Sequence, residues 1–407
     1  VCVLNGYLTF AWLRTEGAAP GLALLGGLVL QTLPISRYFY YNTHLNLMDW
    51  FWLPGLLLLW RQIVRAALAA GRGLARPWAA LAWSVVFGVA LWGLLLTDLQ
   101  FPIFAAAVVV PYGVLTLLLG GLPGVALSPR ERWQGRLWLA ICGLVAVAVG
   151  LSLMWFAGPL PYIARFQGEL VPGPAADRPG IPFPQGFLSM AQAWWQWDQP
   201  SLGAFFPLLL LLTMIWALAR RASGERWSAA GRPRWFWLAI AIPPLIFAMG
   251  PYLYVGGAQV TLPFIWLYDL TSGMFRMPWR LAPIGVLAGV AFIALTWTLL
   301  LRRRRVALPM RLWGGVAALL LMALSVRLFE TRPLDLVLPD YDFYRAMGAE
   351  QGTPYDDYVV VEAPTGMGTG EVLIGNQRAI QYQWYGMQHH KRMVNGFISR
   401  APVDQFY

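Results

Sequence analysis

The sequence predicts an all-α polytopic membrane bundle of about ten spans, followed by the start of an extracytoplasmic α/β domain. Three observations carry that expectation. Apolar residues make up 58% of the 407 and charged residues only 12%, against roughly a quarter charged in an ordinary soluble domain. Apolar runs of about 17–22 residues recur along the chain, whereas buried core helices of soluble proteins rarely repeat at spanning length. The arginines gather in short clusters between those runs, as charges that set topology do.

In order, apolar runs lie near residues 1–13, 18–36, 44–60, 78–96, 102–122, 137–157, 204–219, 236–250, 280–301 and 312–328, each read as a span by length and apolarity. Val1 falls inside an apolar stretch with no initiator methionine and no cleavage signal, so the first span reads as truncated. Alternating the spans sorts the loops. Arg14, then Arg61, Arg65, Arg72 and Arg76, then Arg130, Arg132 and Arg136, then Arg220, Arg221, Arg226, Arg232 and Arg234, then Arg302 to Arg305 with Arg311 fall on one side. Only Arg37, Arg165, Arg178, Arg276 and Arg280 fall on the other within the bundle. The rich side is cytoplasmic by the positive-inside rule. The acids Asp49, Asp98, Glu169, Asp177, Asp198 and Asp269 gather at or just below the outer face.

Residues 1–328 thus read as the bundle, with outer loops at 158–203 and 250–279. The first of these is rich in Pro and Gly and then aromatic, and Trp194, Trp195 and Trp197 around Asp198 suit the headgroup layer. From about residue 329 the composition becomes that of a soluble domain, truncated at Tyr407. "PDYDFYRAMGAEQG" reads as a short helix, "YVVVEAP" as a strand, "YQWYGMQHHK" as a helix and "RMVNGFIS" as a second strand.

Composition excludes some function classes. The formal charge of +11 lies in topogenic clusters and not in a nucleic-acid-binding stripe. Cys2 and Cys142 sit in apolar runs, which implies neither a disulfide framework nor a zinc site. Histidine occurs only as His44, His389 and His390, without metal-ligand spacing, so no cofactor is expected and only a divalent metal stays open. "PTGMGTGE" resembles a glycine-rich phosphate loop but lacks the lysine.

Candidate chemistry therefore rests on charges at the outer mouth, where desolvation is costly and a polar cavity or a partner is needed. Asp98, in the hairpin "LLLTDLQFPIF", is placed as a general base or as an interfacial helix cap. Asp49, a few residues into "THLNLMDWFW" and near His44, reads as the more deeply placed carboxylate. Arg276 and Arg280 in "SGMFRMPWRLAPIG" stand at i and i+4, a suitable fork for a phosphate or for ordinary lipid headgroups.

"THLNLMDWFWLPGLLLLW", "TDLQFPIFA", "MFRMPWRL" and "VVVEAP…QYQWYGMQHHKRMVNGFISR" together resemble the GT-C superfamily of membrane glycosyltransferases, in particular the YfhO-like bacterial proteins. The resemblance implies a GT-C-like bundle in the inner (plasma) membrane of a bacterium with an outward cavity, a polyprenyl-phosphate-linked sugar as donor, and transfer to an extracytoplasmic lipid, glycan or protein. It implies Asp98 and Asp49 as catalytic candidates, with the usual acid upstream of Val1. It also implies Arg276, Arg280, His44, Asp198 and Asp269 as substrate-binding candidates, with membrane lipids as further partners and no nucleic acid. A transporter or flippase of lipid-linked glycans and a non-catalytic scaffold are the competing expectations.

Overall fold

The computed structural model describes residues 2–32, 48–74, 76–98, 100–166, 205–222, 233–255, 258–270 and 278–303. Beyond these it describes residues 341–350, 352–353, 358–361, 366–369, 373–375, 385–386, 389–393 and 396–398. Contacts divide the chain into two units, Val1–Pro161 with Pro182–Tyr268 and Phe275–Thr331, and Tyr162–Ile181 with Asp269–Met274 and Arg332–Tyr407.

The first unit is a helical membrane bundle. Its helices are α1 (Cys2–Thr15), α2 (Pro20–Gln31), α3 (Trp52–Gly71), α4 (Trp78–Thr97), α5 (Phe101–Leu119) and α6 (Pro129–Phe156). The short α7 (Leu160–Phe166) falls mostly in the second unit; the first continues with α8 (Phe205–Ala222), α9 (Pro233–Ala248), a hairpin of β1 (Tyr252–Val255) and β2 (Ala258–Thr261), and α10 (Phe264–Leu270) up to Tyr268. A 3-10 turn over Pro278–Leu281 leads into α11 (Ala282–Arg303). Among the described residues, α3, α4, α5, α6 and the Pro278–Leu301 stretch are long and apolar enough to cross a membrane, and Pro20–Gln31, Phe206–Ala219 and Arg234–Ala248 are shorter apolar helices. The described residues thus carry five helices of spanning length where about ten spans were expected. The run near 312–328 lies outside the described residues.

The packing follows from residue size. α1 lies against α2, and α4 against α6. A Cβ on Gly27 would stand 2.5 Å from the Gly6 carbonyl oxygen, and one on Gly88 would stand 2.7 Å from that of Ala146. Glycine at these crossings lets two backbones touch, the usual device where lipid offers no hydrophobic drive between helices. Pro278–Leu301 is the most enclosed of the five spans, with Ile284, Val286, Leu287 and Phe292 buried. By contrast α4, α5 and α6 leave Val85, Val89, Val110, Leu144 and Leu151 exposed. An apolar helix face with its backbone bonds satisfied internally is what an acyl-chain environment accepts.

Two helix boundaries differ from the hydropathy reading. α6 starts about eight residues before the expected span, because Ser128 and Glu131 form a reciprocal capping box: the Ser128 side chain accepts from the Glu131 N–H, and Glu131 accepts from the Ser128 N–H at 2.8 Å. α3 begins at Trp52 and runs to Gly71. Arg61 and Arg65, expected in a cytoplasmic loop, are therefore inside a helix of spanning length.

The second unit holds α12 (Asp342–Ala349), β3 (Val359–Val360), β4 (Gly366–Thr369), β5 (Leu373–Gly375), β6 (Arg392–Met393) and β7 (Gly396–Ile398). β3 pairs parallel with β6, and β4 lies between antiparallel β5 and parallel β7. Tyr344 of α12 stacks on Tyr385 with centroids 4.3 Å apart.

Candidate functional site

The most heavily bonded charges in the bundle are ones that hydropathy assigns to loops. α1 ends at Thr15, and the chain reverses through Glu16 and Gly17, whose φ of +96° only glycine adopts freely, before α2 opens on Pro20. Arg14 holds the turn by donating to the Ala18 carbonyl. The reversal brings Glu16 against α3 and α5. Arg61 Nη1 donates to Glu16 Oε1 at 2.7 Å, the Tyr112 hydroxyl donates to the same oxygen at 2.8 Å, and Arg61 Nη1 also reaches the Tyr112 oxygen at 3.1 Å. Arg61 Nη2 donates to the Thr15 carbonyl at 2.5 Å. The side chains of Arg61 and Glu16 are only 10% and 2% exposed, so this is a buried ion pair bridged by a phenol.

Arg61 stands nine residues, about 14 Å, along α3 from Trp52. A charge so placed inside a spanning helix needs a partner, and it marks a functional position by default. Aromatic rings wall the cluster: Tyr112 stacks on Trp237 at 5.3 Å, and Trp12 meets Trp237 edge-on at 4.9 Å. Trp12 Nε1, Trp237 Nε1 and Arg61 Nε are buried and have no hydrogen-bond partner among the described residues. Nearby in the same bundle, Trp60 Nε1 donates to Thr116 Oγ1 at 2.9 Å. The arrangement ties the α1–α2 turn to α3 and α5 by charge-assisted bonds.

At the opposite end of α3, Trp52 Nε1 donates to Thr97 Oγ1 at 3.1 Å. Asp49 and Asp98 flank that seam in sequence. Asp98 is the C-cap of α4, and its Oδ1 accepts from the Gln100 N–H at 2.8 Å, a local Asx turn of the kind short polar residues make at helix ends. Asp49 follows Met48, whose carbonyl accepts from Asn5 Nδ2 at 2.8 Å. Asp49 Oδ1 is buried with no hydrogen-bond partner among the described residues, and burial pushes its carboxyl above the ordinary aspartate range. Arg280 lies in the 3-10 turn with its guanidinium 5.7 Å from the Trp279 ring, and Asp269 is exposed near the end of α10. His44, Arg276 and Asp198 lie outside the described residues.

Metal and cofactor chemistry has little to build on in the described residues. No group of three or more His, Cys, Asp or Glu there could hold a metal ion. The described spanning helices carry no histidine, since the two described ones, His389 and His390, follow β5. Cys142 is a buried free thiol, and the Tyr112 hydroxyl is committed to Glu16 and Arg61.

No protein-family model matches the chain, and no solved structure matches it. Two curated proteins do. The heme A synthase of Rhodopseudomonas palustris strain TIE-1 is 28% identical over 222 residues, 49% of this chain and 55% of the relative. That of strain ATCC BAA-98 / CGA009 is 30% identical over 227 residues, with the same 49% and 55% covered. The chain thus spans about half the length of the curated relatives it matches. Their name overturns the expectation of glycosyl transfer from a polyprenyl-phosphate donor: the chain is similar to membrane proteins named for the synthesis of heme A.

Proposed function

We propose that this chain works within the membrane in the making of heme A. The observation that carries the reading is the similarity to the two heme A synthases over 222 and 227 residues. The five spanning helices support it, because they supply an apolar interior in which a largely apolar macrocycle is soluble. No residue of the described bundle is assigned to hold iron. The reading gives the bundle the task of enclosing its substrate, with the Glu16–Arg61–Tyr112 cluster bracing the helices around it.

The orientation belongs to the same proposal. The arginine clusters around Arg130 and Arg302 face the cytoplasm and the residues after 329 lie outside, with a second, α/β-type unit there. The test is deletion of the encoding gene in cells that carry it, followed by extraction and chromatography of their hemes. Loss of heme A, restored by the full-length gene, supports the reading. Unchanged heme A in a deletion strain with no second copy refutes it.

A further inference from the structure

The strongest remaining feature lies in the second unit, and it is independent of the heme reading. His389 is fully buried. Its Nδ1 accepts from the Lys391 backbone N–H at 3.0 Å, so the neutral ring carries its proton on Nε2. Nε2 is buried and has no hydrogen-bond partner among the described residues. The ring stacks on Tyr344 at 5.6 Å and 25°, and Tyr344 stacks in turn on Tyr385 at 4.3 Å and 10°. Tyr341 packs on both tyrosines.

The backbone between the bonded partners is strained. His390 has φ +56°, the one non-glycine positive φ among the described residues, where a side chain crowds its own carbonyl. This bend turns the Lys391 N–H back onto the ring two residues earlier. The His390 N–H donates to the Gly386 carbonyl at 2.9 Å and anchors it.

The charges around the ring oppose a second proton. The turn itself brings His390, Lys391 and Arg392. α12 brings Asp342 and Arg345, which pair with each other at 3.7 Å, and just beyond its end stands Glu350, which accepts from the Tyr358 hydroxyl at 2.9 Å. The Lys391 ammonium sits 5.0 Å from the Tyr358 ring centroid. Among the described residues no carboxylate is bonded to the imidazole.

We propose that His389 is an acid-released latch: its neutral ring holds the strained His390 turn and the Tyr344–Tyr385 stack together, and its protonation lets them go. A proton on Nδ1 sets an N–H against the Lys391 N–H and leaves a buried cation beside Lys391 with no carboxylate bonded to it among the described residues. Desolvation first, then His390 and Lys391, hold the group below the ordinary histidine range, in line with this geometry. The sign follows from that depression. The contribution is present above the unfolded value of about 6.5 and is lost as pH falls from there toward the lower folded value. In that window the opening constant rises by at most about tenfold per pH unit.

The test uses the full-length protein in lipid nanodiscs. With 15N-histidine labelling, His389→Gln, which keeps an acceptor for Lys391 but cannot titrate, identifies the His389 imidazole by its loss. The expected result is an Nε2–H tautomer for His389 at pH 7.5, titrating below the ordinary histidine value of about 6.5. Amide exchange of Lys391 in the wild type, divided by that in His389→Gln at the same pH, then rises several-fold between pH 7 and 5. An Nδ1–H tautomer, a His389 midpoint at or above about 6.5, or a flat exchange ratio would overturn the proposal. If the variant does not fold, the wild-type His389 imidazole is assigned through its own backbone amide by 13C,15N correlation, and its tautomer and midpoint decide the proposal.

Discussion

Replacing Glu16 by Gln isolates the charge of the buried cluster from its shape. The amide retains an oxygen that can accept from Tyr112 and Arg61, but Arg61, with a 10% exposed side chain, then keeps its charge with no counter-ion. Breaking a buried pair from one side costs about 3–5 kcal/mol, because the stranded charge stays desolvated. Removing both charges in Glu16→Gln/Arg61→Met relieves that penalty, so the double variant is expected to be more stable than the single one by roughly 2 kcal/mol or more. Tyr112→Phe deletes one donated and one accepted bond and is expected to cost about 1–3 kcal/mol. The assay is equilibrium unfolding in mixed micelles: wild type, Glu16→Gln, Arg61→Met and Glu16→Gln/Arg61→Met form a double-mutant cycle, with Tyr112→Phe read beside it. A Glu16→Gln variant within about 0.5 kcal/mol of wild type, or a double variant as unstable as the two single losses added, refutes the reasoning.

Gly88→Leu puts a side chain where a Cβ already meets Ala146 oxygen at 2.7 Å and Val149 Cβ at 2.8 Å. Separating α4 from α6 is expected to cost about 1–3 kcal/mol or more by overpacking, read in the same unfolding assay. Ser128→Ala removes one half of the α6 capping box and is expected to cost about 1 kcal/mol, with faster amide exchange confined to the first turn of α6. For the orientation, Arg76→Cys and Gln100→Cys bracket α4. With Cys2 replaced by Ser, an impermeant thiol reagent is expected to label the position at 100 in intact cells and the one at 76 only after permeabilisation. The reverse pattern contradicts the assignment.

Much of the bundle was legible because length and apolarity are the physics of spanning. The expected runs near 78–96 and 102–122 coincide closely with α4 and α5. Reading arginine as a loop marker worked less well. In α3, Arg61 is offset by Glu16, a partner forty-five residues away, and a pairing that distant leaves no local trace in the sequence. The signal that was present is the pair Arg61 and Arg65, one turn apart on a single helical face. Tyr112, next to Pro111 within an otherwise apolar run, was a second polar mark of the same site. Asp98 and Asp49 were expected as catalytic candidates from their position near the outer face; Asp98 makes a local turn bond, and residue type cannot separate such a cap from a catalytic group. The choice of chemistry failed for a related reason. Outer acids and arginines are common to many membrane functions, and only comparison with the heme A synthases set one direction.

The central claim is that this chain serves heme A formation in the membrane. Its most direct test is gain of function: the full-length gene expressed in cells whose own heme A synthase has been deleted, with membrane insertion verified by immunoblot and extracted hemes separated by chromatography. The account predicts heme A in those membranes and none in cells carrying the empty vector. Full-length protein present in the membrane fraction with no heme A above the vector control would contradict it.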